Sequence, residues 1–240
     1  RSQRLTAGKN AQAAALRNSG REFALKSVRV FYTKSGRMRF VSHLDMTRFM
    51  ARILRRAELP VWYTEGFHPH LYLTFALPLS LGFESDYEVM DFRLEDDSYP
   101  IENICEKLNA VFPPYIYAFR AAEPINKPGK ITAARFEIAF SDNGELAEPL
   151  REFSASPEII CTKKTKRGNE KQIDIAPKIS DCEISDNNGT VLSLTLPAGG
   201  EDNVNPELLL GAFFSFYKGD EPYYRIKRTA LLTADGKRFE

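Results

Sequence analysis

From position 28 the chain alternates, with Val28, Val30 and Tyr32 in one phase and Arg29, Phe31 and Thr33 in the other, the period-two pattern of a strand. Lys34-Ser35-Gly36-Arg37 supplies a turn before 38–41, so a hairpin is predicted there. Met46, Phe49, Met50, Ile53, Leu54 and Ala57 then recur at helical spacing, and Ser42 and Asp45 stand where a capping box would start the helix. Pro60 ends it. Residues 61–64 read as a short strand, 66–70 as a loop, and 71–81 as a strand that Pro78 confines to an edge or bulge. A strand over 87–94, a helix over 101–112 with Ile101, Ile104, Cys105 and Leu108 on one side, and a strand over 116–121 complete the series.

That order is β-α-β-β-α-β, a ferredoxin-like split repeat. After a linker at 126–130 the pattern recurs with a strand over 134–140, a helix over 145–154 and strands near 159–165, 172–175 and 191–196. A helix over 206–217, begun by Asn205-Pro206, and a strand over 223–232 close it. The fold class predicted is α+β, with tandem ferredoxin-like modules at 28–125 and 131–235, each built on an antiparallel sheet. Residues 1–27 carry six basic residues against Glu22 alone and little to bury, so they read as a basic tail or linker.

Composition narrows the function classes. The 33 basic and 32 acidic residues nearly cancel over 240 positions, which excludes a polycation that coats nucleic acid with its whole surface, so any electrostatic site must be local. Cys105, Cys161 and Cys182 lack the spacing of a thiolate metal site or redox pair and read as reduced, mostly buried thiols. No apolar run approaches a membrane span and no signal-like stretch opens the sequence, so a cytoplasmic protein is expected, with no membrane partner.

The three histidines, His43, His68 and His70, fall within 28 residues that also hold the only tryptophan, Trp62. With Ser42 as cap, His43 occupies the first helical position. Unsatisfied backbone N–H groups there make the imidazole a candidate base or ligand, and the same helix end suits a phosphate. A histidine that merely packs and donates a hydrogen bond fits the spacing equally well. Gly66 and Pro69 tighten the loop that carries His68 and His70, and alternation in an extended segment would point both imidazoles the same way. His43 could then be a third metal ligand, yet no Cys or carboxylate is spaced to complete a known site, and the expectation is no metal.

Arg48, Arg52, Arg55 and Arg56 occupy the polar side of the first helix, and Arg29, Lys34, Arg37 and Arg39 precede it. From 28 to 66 there are eight basic residues against Asp45, Glu58 and Glu65, a local net charge of +5. Beside Phe31, Tyr32, Phe40, Trp62, Tyr63 and Phe67, this stripe combines phosphate-seeking cations with rings able to stack on bases. A solvated helix face is the alternative. A second basic run, with Lys164 and Arg167, sits at a predicted hairpin tip and could contact phosphate or simply form a polar turn.

The segments Phe31-Tyr32-Thr33-Lys34-Ser35-Gly36, Phe40-Val41-Ser42-His43-Leu44-Asp45, Ala57-Glu58-Leu59-Pro60-Val61, Gly66-Phe67-His68-Pro69-His70 and Phe75-Ala76-Leu77-Pro78-Leu79 together resemble the bacterial radical SAM-linked domain family. The resemblance spans about 28–232 and is strongest before Glu123. His43, Asp45, Gly66, Pro69 and His70 match characteristic positions of that family. His68 stands where it often has Asn and Leu71 where it often has Pro, which weighs against His68 as a ligand. The resemblance implies association with a radical SAM protein, fused or separate, in an RNA or ribosomal setting. It places S-adenosylmethionine and the iron-sulfur cluster on that partner, since this chain lacks a cysteine triad.

The function expected is therefore an accessory, substrate-presenting domain for RNA or a ribosome-associated target. Phosphates would meet the four helix arginines, His43 and His70 would line the pocket, and Ser42, Asp45, Gly66 and Pro69 would shape it. The tandem layout also looks like that of CRISPR repeat-processing endoribonucleases. A metal-independent ribonuclease with His43 as base and His70 or Tyr63 as acid is thus an alternative, and a protein-interaction scaffold is a third.

Overall fold

A computed structural model describes residues 25–164, 170–200 and 202–240. It is a mixed α+β structure with four α-helices and a mostly antiparallel sheet among those residues. The expected basic tail lies almost wholly outside them. The first half runs β1 (Lys26–Lys34), α1 (His43–Arg56), β2 (Leu73–Phe75), β3 (Glu84–Leu94), α2 (Glu102–Asn109) and β4 (Ile116–Ala122). The second runs β5 (Ile131–Phe140), α3 (Ala147–Ser154), β6 (Ile160–Lys164), β7 (Glu170–Asp174), β8 (Ser180–Ser185), β9 (Val191–Pro197), α4 (Pro206–Tyr217) and β10 (Tyr224–Thr233).

Two separate four-stranded sheets were expected, and the molecule instead builds one. Its order is β4-β1-β3-β10-β5-β9-β8, with β2 beside the far end of β3; only the β6-β7 hairpin stands apart. All pairings are antiparallel except one. At the start of β3, Glu84 and Ser85 pair in parallel with Lys227 and Arg228 of β10, and this short seam joins the halves. The apolar core of the second half crosses it, taking in Phe31, Phe83, Tyr87 and Val89 from the first. A second core lies between α1, α2 and the other phase of β1 and β3, with Val28, Val30, Met90 and Phe92.

The alternation read from 28–33 implies one buried face, but β1 lies between the two cores and both phases are buried: residues 28–32 are all buried, the basic Arg29 included. Arg29 survives there because its Nε and Nη2 each donate to the Asp91 carboxylate at 2.7 Å and its guanidinium lies 4.4 Å from the Phe239 ring. At the seam Arg228 Nη2 donates to Glu88 at 2.6 Å and to the Leu77 carbonyl at 2.8 Å, with both charged side chains buried.

Several predicted elements differ. The hairpin expected after residue 34 is a 3-10 turn over Gly36–Phe40. The reason is that β1 already pairs with β3 on one side and β4 on the other, leaving no free edge for a hairpin partner. Residues 61–64 make only isolated bridges, and the strand over 71–81 shrinks to β2. Strand β8 was not expected. It is an edge strand with nearly every side chain exposed, so no apolar alternation announces it. Its Cys182 is exposed, unlike the buried Cys161.

Replacing Glu88 with Gln leaves the Arg228 guanidinium buried without a counter-charge, and Glu88→Gln should cost about 3–5 kcal/mol. Urea unfolding followed by circular dichroism checks this. Both halves should melt in one transition because the seam and core are shared, and a loss below about 1 kcal/mol would count against the pair.

Candidate functional site

The start of α1 is built by Ser42, whose extended backbone leads into the helix. Its Oγ accepts from the Asp45 N–H at 3.2 Å and donates to the Asp45 carboxylate at 2.8 Å. This is the capping arrangement the sequence predicts, and it fixes His43 at the first helical position. The exposed His43 ring stands edge-on to Phe75, centroids 5.2 Å apart.

Below His43 lies a small cavity of about 10 Å³, the room one water needs. Tyr32, Lys34, Met46, Phe75 and Glu88 line it with His43. Lys34 and Glu88 are buried. The Lys34 ammonium donates to the Val41 carbonyl at 3.1 Å. Burial pushes its pKa below the ordinary lysine value; Glu88 pulls it partly back and Arg228 adds to the lowering. Burial, reinforced by Glu88 and opposed by Arg228, holds the Tyr32 phenol well above its ordinary value. The site therefore sets an amine of lowered basicity, a phenol and a carboxylate pinned by Arg228 around a cavity with room for one water beneath an exposed imidazole.

Sequence reasoning missed Lys34, Glu88 and Arg228 as site residues. Each lies in phase with buried apolar positions of its strand, as Lys34 does with Val30 and Tyr32, Glu88 with Met90 and Phe92, and Arg228 with Ile226 and Ala230. A charge on the inward phase of a strand was the available signal.

The histidine loop is organised separately. His70 Nδ1 lies 2.9 Å from Thr64 Oγ1 and 3.2 Å from the His68 carbonyl, while the Thr64 N–H donates to the His70 carbonyl at 2.8 Å. Gly66 has φ of 122°, a conformation that favours glycine, and Pro69, His68 and His70 are exposed. Tyr63 is half-buried, packs on the second core, between β1, β3, α1 and α2, and bridges to Leu71. Neither His70 nor Tyr63 is among the side chains around the His43 cavity. Among the described residues no three His, Cys, Asp or Glu gather as metal ligands.

Arg48, Arg52, Arg55 and Arg56 are all exposed, opposite the buried Met46, Met50, Ile53 and Leu54. Arg48 reaches Asp45 at 3.5 Å, both side chains in solvent, and Arg55 Nε donates to the Ala51 carbonyl at 3.1 Å. Arg52, Arg55 and Arg56 have no acidic partner among the described residues. The backbone of Lys164 ends β6, its side chain outside the described part; Arg167 lies outside the described residues altogether.

Fold and site together define an α+β protein whose first helix carries a polar cavity at its start and an arginine face along its length. The family model described as uncharacterized protein conserved in bacteria (DUF2344) matches residues 27–206, and the chain belongs to that family. No curated protein matches the chain. No helix among the described residues is long and apolar enough to cross a membrane.

The lowered Lys34 pKa makes a signed prediction. The unfolded chain holds this proton more tightly than the folded one, so the destabilisation is fully present below the folded pKa and fades as pH rises toward the ordinary 10.5. Wild-type protein should gain stability relative to Lys34→Met between about pH 7 and about pH 10 in urea titrations. A difference that stays constant across that range contradicts the assignment.

Proposed function

We propose that this chain is an accessory, substrate-presenting domain of a radical SAM system whose target is RNA or a ribosome-associated molecule. The observation that carries the reading is the arginine face of α1: four guanidinium groups in solvent on one helix, three of them with no carboxylate partner among the described residues. Such cations gain affinity by releasing the counterions of a phosphate chain. The family resemblance of the sequence adds the radical SAM partner, which would hold the S-adenosylmethionine and the cluster. The scaffold in this reading is a pair of ferredoxin-like modules. The strand orders β4-β1-β3-β2 and β10-β5-β9-β8, each with two helices, support it, the β6-β7 hairpin being an insertion in the second.

A second reading is an endoribonuclease-like enzyme with His43 as base. One observation favours it: His43 stands over Lys34 and Tyr32, two further proton-bearing groups within one cavity. In that case the acid comes from this pair, because His70 is tied to Thr64 in its own loop.

The readings separate in one set of titrations. Replacing Arg48, Arg52, Arg55 and Arg56 with Gln should leave the fold intact and lower the slope of log K against log salt for single-stranded RNA by about 0.7 for each arginine that meets a phosphate. His43→Ala should change binding less than those replacements in the accessory reading and abolish cleavage in the enzyme reading. An unchanged slope removes the arginine face from the site. Absence of RNA binding at low salt leaves only a protein scaffold.

A further inference from the structure

The 3-10 turn between β1 and α1 forms one wall of a groove that the α1 reading does not use. It opens at the end of the sheet where β1 finishes and β3, β4 and β10 begin, and holds about 410 Å³, the size of a small-ligand cleft. Arg37, Arg39 and Phe40 come from the turn, Tyr115 from the residue before β4, and Tyr223 and Arg225 from the start of β10. Both halves of the molecule therefore contribute.

Three rings are left in solvent here, with Phe40 63% exposed, Tyr115 51% and Tyr223 57%. They are held in place. Arg39 lies 4.7 Å over the Phe40 ring and donates to the Tyr223 hydroxyl at 2.8 Å, tying one half to the other. Tyr115 lies so close to Gly36 that a Cβ there would stand 2.5 Å from the tyrosine ring, and Gly36 itself has φ of 53°. Tyr115 is also left-handed, with φ of 77°, a conformation costly for a bulky residue, and its carbonyl accepts the Ser35 N–H at 2.9 Å. The backbone is thus strained at the residue that presents the ring.

The charge is one-sided. The single acid of the groove, Glu84, is buried and occupied, accepting the Gly36 N–H at 3.1 Å and facing Arg39 at 3.5 Å. Arg37 and Arg225 are exposed and have no acidic partner among the described residues. Fixed rings interleaved with unpaired guanidinium groups are what a single strand needs, since its bases offer free faces and its phosphates flank them; a duplex hides those faces in its own stack.

From this arrangement we infer that the groove binds single-stranded RNA, with bases stacked on Phe40, Tyr115 and Tyr223 and phosphates on Arg37 and Arg225. The inference rests on the RNA reading of the preceding section but on different residues. A groove holding bases as well as phosphates would make this end of the sheet the place where an unpaired stretch of substrate is displayed.

The test is fluorescence anisotropy of the full chain with a labelled ten-nucleotide oligouridylate and with a hairpin duplex, at two salt concentrations. Phe40→Leu with Tyr223→Leu should weaken the single strand about fivefold or more per ring lost and leave the duplex unchanged. Tyr223→Phe, which keeps the ring and drops only the Arg39 bond, should retain wild-type affinity. Arg37→Gln with Arg225→Gln should lower the single-strand salt slope by about 1.4. Unaltered melting temperatures show that these exposed replacements leave the fold intact. Wild-type affinity in both double variants, or an equal loss for strand and duplex, overturns the groove. If the α1 replacements alone weaken binding, the groove falls and the α1 reading stands; if the groove replacements alone do so, the reverse holds. Failure of any RNA to bind at low salt overturns both.

Discussion

The ion pair between Arg228 and Glu88 is the constraint on which the rest of the molecule depends. Two buried charges 2.6 Å apart hold only if each keeps its partner, and here the partners belong to strands from different halves of the chain. Between them runs the parallel pairing of Glu84 and Ser85 with Lys227 and Arg228, a contact of two residues that would be weak alone. The buried pair, the Leu77 carbonyl and the common core make it permanent. An eight-stranded sheet results, and its composite end is where the interesting chemistry gathers.

Consequences spread from that seam in two directions. Glu88, pinned by Arg228, also faces Lys34 and Tyr32 on the side of the second core, so the same carboxylate tunes the amine and phenol beneath His43. Glu84, four residues earlier on β3, receives Gly36 and Arg39 and so sets the 3-10 turn. That turn carries Arg37, Arg39 and Phe40 into the groove and, two residues later, delivers Ser42 as the cap of α1. Groove and arginine helix are thus successive segments of one basic stretch, aimed by one buried network.

Much of this was legible in the sequence and some could not have been. The α1 periodicity and the Ser42-Asp45 cap were local signals, and local signals survive folding; the same is true of the Asn205-Pro206 start of α4, whose side-chain oxygen accepts the Glu207 N–H. Strand β8 has a single half-buried apolar side chain, Ile184, and is otherwise exposed, so periodicity is silent about it. The 3-10 turn was misread because Lys34-Ser35-Gly36-Arg37 fits a hairpin equally well, and only the occupation of both β1 edges decides the matter. His43 was correctly marked as the start of a helix, but its companions are not the other histidines. Lys34 precedes it in the same basic stretch but on another element, Glu88 lies on β3, and Arg228 is 140 residues from Glu88; only the inward phase of each charge hinted at burial. Tyr115 and Tyr223 carried no signal before the topology brought them together.

The central claim, that the basic stretch from the 3-10 turn through α1 is an RNA surface, is most directly tested by photo-crosslinking the full chain to a single-stranded RNA containing 4-thiouridine and mapping the adducts by mass spectrometry. Adducts are expected on peptides containing Phe40, Tyr115 or Tyr223 and along the exposed face of α1. Adducts confined to the β8–β9 edge of the sheet, or none at low salt, would contradict it.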